Sequence, residues 1–453
     1  MRLTSLFLSG LIALPGILSA ATTDSTPQKP NIIFILSDDL GIGSVSSYGA
    51  DNFKTPNIDK LAASGIRFEH CYASPLCGPS RALFLTGRYA FRTGMTSNAK
   101  VSVDLMTPAN EFMIPRVLKQ AGYVTGQVGK WNQLPFQPSD WGFDEYLRFE
   151  GSGKYWNTQP DGKTYTVNGK LVPLLDGEYM PDKMHEFAVD FITRHKNQPF
   201  FLYYPMSEVH NPILRTPDSA PGADGMQLYV DNVAYMDKLV GKLVDEVARL
   251  ELTNKTIIVF ASDNGTAPQR AKYCTIDGGK ALSGHKNTML ECGALIPSVL
   301  SWPGTVPAGQ VSQSLISFVD FLPTFAEITG TKPSPDVKID GMSFAPLLHG
   351  QTSGDWQRDW IFVLLRRDWY DRETDWKLNQ SGELFDMKNA PFTEPLVAAD
   401  TKDADALAAR QRLQTVLDQL NPAAGIMFEG KNKAKAAKNQ PPEDSENANG
   451  ADD

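Results

Sequence analysis

The chain predicts an α/β protein: a large, mixed but mostly parallel sheet flanked by helices, with a small C-terminal α+β subdomain. Three observations carry this. Short continuous apolar runs alternate with amphipathic helical stretches, as strands and crossover helices of a largely parallel sheet do. Two of those runs, Ile32–Asp39 (IIFILSDD) and Ile257–Asn264 (IIVFASDN), end alike, in residues that offer oxygen ligands. Past Gly350 the texture changes to short strand candidates separated by charged turns.

The elements follow in order. Arg2, the apolar stretch Leu6–Leu18 with Pro15 inside it, and the small residues Ser19, Ala20 and Ala21 read as an export signal over residues 1–21. That stretch is short for a bilayer span, so a periplasmic or secreted protein without stable membrane insertion is expected. Asn31–Ser37 reads as a fully buried strand. Thr55-Pro56 starts a helix that Gly65 stops. A helix is expected over Glu111–Gln120, closed by Gly122, and Tyr123–Trp131 returns as a strand. Helix Asp182–His195 precedes strand Phe200–Pro205, and helix Gln227–Leu250 precedes strand Thr256–Ser262. Beyond lie strand candidates Asp359–Leu365, Asp375–Asn379 and Gly382–Met387, then a helix over Leu407–Leu420. The expected divisions are a catalytic domain at 30–350, a subdomain at 351–425 and a disordered tail at 430–453, whose basic then acidic composition cannot bury a core.

Composition is that of a globular protein, 42% hydrophobic and 21% charged. The formal net charge of -9 argues against a nucleic-acid partner, which calls for a basic stripe. The four cysteines, Cys71, Cys77, Cys274 and Cys292, form neither a zinc pattern nor a disulfide framework.

Asp38, Asp39, Asp263 and Asn264 follow the carboxyl ends of two buried strands, where open α/β sheets build their sites. Hard oxygen donors without sulfur or imidazole suit Ca²⁺, and also Mg²⁺, rather than zinc. Either pair alone is better read as a turn or helix cap; both together, beside the run at Cys77, favour the metal. Cys77–Arg88, CGPSRALFLTGR, sets a cysteine, a proline, a serine and an arginine in register at the start of a helix. Pro79 suits the first helical turn, and helix N-termini favour anions.

This run resembles the signature of type I sulfatases, C-x-P-S-R with a Leu-Thr-Gly-Arg ending, a family of the alkaline phosphatase-like superfamily. The resemblance extends from about Pro30 to Met387 and implies an alkaline phosphatase-like sandwich. It implies that a maturation enzyme oxidises Cys77 to formylglycine (3-oxoalanine), whose hydrated form supplies the nucleophile and joins Asp38, Asp39, Asp263 and Asn264 around the metal. Arg81, one turn on, is then placed to hold the diol. GYVTGQVGKWN is similar to the second signature and nominates Lys130 as a sulfate-binding cation. SEVHNP nominates His210 at the ester oxygen, and SGHKNTMLECGALIP nominates Lys286 as the second cation. His285 is read as structural.

The chain departs from the family's pattern twice. Cys292 stands where glycine is usual and is read as packing. Asn132 stands where the family carries a histidine thought to deprotonate the diol and expel sulfate; a carboxamide hydrogen-bonds but takes no proton at ordinary pH. Three accounts of Asn132 are open: another base, slow turnover with trapped sulfate, or lost activity. The resemblance implies an exported sulfatase acting on a sulfated polysaccharide or oligosaccharide. The alternatives are a phosphonate or phosphodiester hydrolase of the same superfamily and a non-catalytic binder of sulfated glycans. Tyr155, Trp156 and Tyr165 lie in a stretch that either stacks on sugar rings or forms an ordinary hairpin.

Overall fold

The computed structural model describes residues 29–98, 105–131, 133–160, 162–350, 356 and 358–427. The expected signal at 1–21, the tail at 430–453 and Asn132 lie outside them. The strands are β1 (Asn31–Ser37), β2 (Ile66–Tyr72), β3 (Val124–Lys130), β4 (Glu145–Phe149), β5 (Thr164–Val167), β6 (Lys170–Pro173), β7 (Phe200–Pro205), β8 (Thr256–Ser262), β9 (Leu295–Ser301) and β10 (Gln310–Ser317), then β11 (Ile361–Leu365), β12 (Asp368–Arg372), β13 (Trp376–Asn379) and β14 (Leu384–Asp386). The first ten make one sheet in the order β10-β2-β9-β8-β1-β7-β3-β4-β5-β6, and the last four make a second.

The middle of the large sheet is parallel: β8, β1, β7, β3 and β4 run together. Strand β9 and the β5–β6 hairpin run against their neighbours, which makes the sheet mixed. Strand β1 explains why the centre reads as an unbroken apolar run. Ile32, Phe34 and Leu36 face one core with Phe84, Phe318 and Phe321, while Ile33 and Ile35 face the other with Leu202, Phe260 and Leu239. A strand covered on both faces has no polar side to alternate. Helix α1 (Pro56–Ala63) follows the first strand, and Phe34 and Phe84, stacked with ring centroids 3.9 Å apart, fix the next helix, α2 (Cys77–Thr86), over the sheet.

The small sheet is antiparallel throughout. Its Phe362, Leu364, Trp376 and Leu378 join the core on the α2 side, and the helix Ala404–Leu420 covers it with Ala406, Ala409, Leu413 and Leu417. Several bounds shift by two or three residues from the sequence expectation, and two differences have a clear physical reason. The helix expected from Glu111 begins at Ile114, because Pro115 sits in its first turn, where a missing N–H is harmless. Strand β12 reads as a charged turn in sequence; Asp371 and Arg372 are nonetheless buried. No helix among the described residues is long and apolar enough to cross a membrane.

Candidate active site

Strand register assembles the site. Strands β1 and β8 pair in parallel up to Ser37 opposite Ser262, so the next residues, Asp38–Asp39 and Asp263–Asn264, emerge side by side. Asp39 turns away with φ 63°, a left-handed conformation that aspartate tolerates better than most residues. On the other flank, the Asp38 N–H donates to Glu208 O (2.8 Å) and the Val209 N–H to Asp38 O (2.7 Å), which delivers His210 to the same point. Lys130 ends β3, one strand further on. Gly129 before it has φ 122°, and a Cβ there would fall 1.9 Å from Pro205 O, so only glycine lets β3 lie this close to β7.

Cys77 opens α2, a helix buried along its whole length. Ser80 Oγ accepts from the Ser74 N–H and donates to Leu76 O and Ser74 O, all at 2.9 Å, tying down the turn ahead of Cys77. Cys77 and Arg81 are four apart and share a helix face. Asn98 accepts from the Gly78 N–H (2.9 Å), a contact that no local sequence signal marks. Lys286 arrives on a loop laid over Gly265, where a Cβ would meet Cys292 O at 1.8 Å. Its N–H donates to Thr266 O (3.0 Å). Cys292 is buried with the apolar core around it. All four cysteines are free thiols, all buried.

Nine sequence-nominated residues therefore meet at one place. Ligand atoms of Asp38, Asp39, Cys77 and His210 lie within 4.8 Å of one another. Cys77 Sγ is 3.4 Å from Asp38 Oδ1 and 3.7 Å from Asp39 Oδ1. Arg81 Nη2 is 2.7 Å from Asp263 Oδ2 and 3.5 Å from Asp38 Oδ2. Lys130 Nζ bonds Asp38, and Lys286 Nζ is 2.6 Å from Asp39 Oδ1. Thus three buried carboxylates face three cations.

Burial opposes the charge on Asp38, but Lys130, His210, Arg81 and Lys286 together hold its carboxyl well below the usual range. Burial, aided by Asp38, pushes Asp263 up to about 6 against Arg81 and Lys130. Burial lowers His210 despite Asp38 beside it. Burial also opposes the charge of Lys286, yet Cys77, Asp39 and Asp38 hold its ammonium well above the usual range.

The donor set fits a hard divalent cation. Asn264 Nδ2 donates to Asp39 Oδ1 (2.9 Å), while its Oδ1 is buried with no hydrogen-bond partner. An orphaned buried carbonyl beside three carboxylates is an oxygen ligand held ready. Tyr155 supports the site from behind: fully buried, its hydroxyl bonds Ser207 O (3.1 Å) and His210 O (2.7 Å), so it is no platform for a sugar. Tyr165 is also buried, and Trp156 leans on Tyr179 and donates to Arg215 O.

A mostly parallel sheet with acidic ligands at its strand ends, a buried helix-opening cysteine and converging cations defines a metal-dependent hydrolase of anionic esters. The family model for sulfatases matches residues 30–331, and that for the C-terminal part of N-sulphoglucosamine sulphohydrolase matches 284–392. The chain belongs to the sulfatase family and is a sulfuric ester hydrolase. It is 35% identical over 364 residues to the N-acetylgalactosamine-6-sulfatase of Canis lupus familiaris, covering 74% of this chain and 69% of the relative. The solved structure of Ps i-CgsB in complex with k-i-k-neocarrahexaose is 28% identical, with a TM-score of 0.76 over 91% of this chain and 97% of that one. The phosphonate monoester hydrolase of Agrobacterium radiobacter, 19% identical with a TM-score of 0.63 over 86% and 95% of the two chains, shares the fold.

Proposed function

We propose that this protein is an exported sulfatase that hydrolyses sulfate esters of a polysaccharide or its oligosaccharides, with Cys77 matured to formylglycine by a dedicated enzyme. The observation that carries the site assignment is the convergence of Cys77, three carboxylates and three cations at the carboxyl ends of β1 and β8. The sugar substrate class is supported by the relatives, among them a galactosamine sulfatase and a protein solved with a carrageenan-type oligosaccharide.

Asp38, Asp39, Asp263 and Asn264 would hold Ca²⁺. Bound there, the ion would supply Lewis-acid activation of the nucleophile and positive charge towards the sulfate. Cys77 Sγ stands where an oxygen of the mature side chain would sit, against Asp38 and Asp39. Lys130 and Lys286, which pair with Asp38 and Asp39, would serve as fixed donors to the sulfate oxygens, where such donors are worth most in a dry site. Arg81 keeps residue 77 oriented from one helical turn away.

The leaving alcohol takes a proton from Lys286 or His210. The His210 Nδ1–H donates to Asn211 O (2.6 Å), which leaves Nε2 facing the site. With its pKa lowered by burial, His210 carries the second proton only in acid, whereas Lys286 keeps its proton at every ordinary pH.

The test is sulfate release from a panel of sulfated sugars and aryl sulfates, run beside the matching phosphate esters. Wild-type protein should release sulfate, and Cys77→Ala protein of unchanged fold should not. Retained activity without the Cys77 side chain refutes the mechanism; faster phosphate than sulfate release would move the protein to phosphoryl chemistry.

A further inference from the structure

The hairpin between β11 and β12 has a two-residue loop: Leu365 pairs with Asp368, leaving Arg366 and Arg367 at the tip. Arg366 has φ 59°, and Arg367 does not share the positive φ. A two-residue loop with positive φ at its first central position favours glycine there. A side chain in that conformation is strained against its own backbone. Residues that break a local preference in this way concentrate at functional sites.

The tip is clamped to the rim of the active site by three bonds. Ser74 Oγ donates to Leu364 O (3.0 Å), and Ser74 belongs to the turn that Ser80 ties down before Cys77. The Arg366 N–H donates to Thr96 O (2.7 Å), two residues from Asn98, which holds Gly78. Arg366 Nη2 donates to Asn287 Oδ1 (2.7 Å). Asn287 follows Lys286 directly, has φ 69°, and donates its own N–H to Pro75 O (2.8 Å). The guanidinium is therefore one residue removed from a sulfate-binding lysine and held by a neutral amide.

Its charge is not spent inside the protein. Arg366 is half-buried and has no carboxylate within ion-pair distance among the described residues. The neighbouring structural arginines differ: Arg88 pairs with Glu111, Arg92 with Asp340, Arg358 with Asp320 and Arg372 with Glu291. A fixed guanidinium fork with donors to spare matches a planar carboxylate or a sulfate.

We propose that Arg366 is a specificity-determining residue that binds a second anionic group, a carboxylate or a further sulfate, on the sugar whose ester is cleaved. The inference rests on the sulfate-ester reading above, with the small sheet supplying substrate selection to a centre built by the large one.

The experiment compares kcat/KM for a singly sulfated sugar, its disulfated counterpart and a singly sulfated uronate-containing disaccharide. The variants are Arg366→Gly, which suits the positive φ and keeps the hairpin, and Arg366→Lys, which keeps charge without the fork. The preference of wild type for the doubly charged sugars should fall about tenfold or more in Arg366→Gly, mainly through KM, with partial recovery in Arg366→Lys. Whichever doubly charged sugar loses more identifies the anion. Equal losses on all three sugars overturn the proposal. Calorimetric binding of the same sugars to Cys77→Ala protein, with and without Arg366→Gly, needs no turnover. A preference lost there upholds Arg366 even if the wild type releases no sulfate, and an unchanged preference overturns it.

Discussion

Lys130→Met separates the electrostatic role of the site from its catalytic one. Lys130 and Asp38 are both fully buried and directly paired, and the nearest other cation to Asp38 is Arg81 at 3.5 Å. Two unit charges at about 3 Å interact by about 5 kcal/mol at an effective dielectric near 20. Breaking such a pair from one side typically costs about 3–5 kcal/mol, since the remaining carboxylate stays buried. Arg81 and His210 stay near Asp38, so the lower end is expected for the calcium-free protein. At about 2.1 cal/mol/K of unfolding entropy per residue, that corresponds to a fall in thermal midpoint of roughly 3–4 °C. On the proposed ligand set, a Ca²⁺ ion beside Asp38 would supply the missing positive charge, so the deficit should shrink sharply when calcium is added. Activity should not recover with it: losing one donor to the developing charge costs about 10²–10³ in kcat. Calorimetric unfolding with and without calcium, read beside sulfate release, provides the check. A stability deficit that calcium does not touch, or a calcium-loaded variant within threefold of wild-type kcat, would refute this account of the centre.

Removing calcium with a chelator should abolish activity and lower the thermal midpoint, and adding calcium should restore both; a chelator-insensitive enzyme contradicts the ligand assignment. Asn132→His should accelerate turnover if slow release of sulfate limits the enzyme, which a presteady-state burst that disappears in the variant would reveal; unchanged kinetics place the base elsewhere. Asp371 on β12 is buried with both carboxylate oxygens unpartnered, and burial pushes its pKa up to about 8. A raised carboxyl pKa gives stability that is complete below the ordinary value of 3.8 and lost as pH climbs towards about 8, at about 1.4 kcal/mol per pH unit. Asp371→Asn should therefore raise the thermal midpoint at pH 8 far more than at pH 5, and equal shifts at both pH values would contradict the assignment.

The centre was legible because its parts are short and local. The acidic ends of β1 and β8 announce themselves as repeated motifs, and the parallel register that pairs Ser37 with Ser262 follows from their similarity. The four-residue spacing of Cys77 and Arg81 is likewise a helix face written in sequence. What stayed hidden depends on packing between distant segments. Asn98 acquires its role only because the chain after α2 folds back on Gly78. Arg366 looks like a charged turn residue until the small sheet docks and carries it to Asn287. Strand β12 escaped because Asp368, Asp371 and Arg372 mask its alternation, and two of them are buried only through the docking of the small sheet. Tyr155 shows the converse: an aromatic in a polar stretch invites a sugar-stacking role, yet the fold spends it on holding the His210 loop.

The central claim is that the thiol at position 77 is a precursor. Mass spectrometry of the peptide carrying residue 77, taken from active protein made with its maturation enzyme present, tests this most directly. The account predicts the aldehyde mass of formylglycine, trapped by a carbonyl reagent, in proportion to specific activity. Active protein whose residue 77 is entirely unmodified cysteine would contradict it.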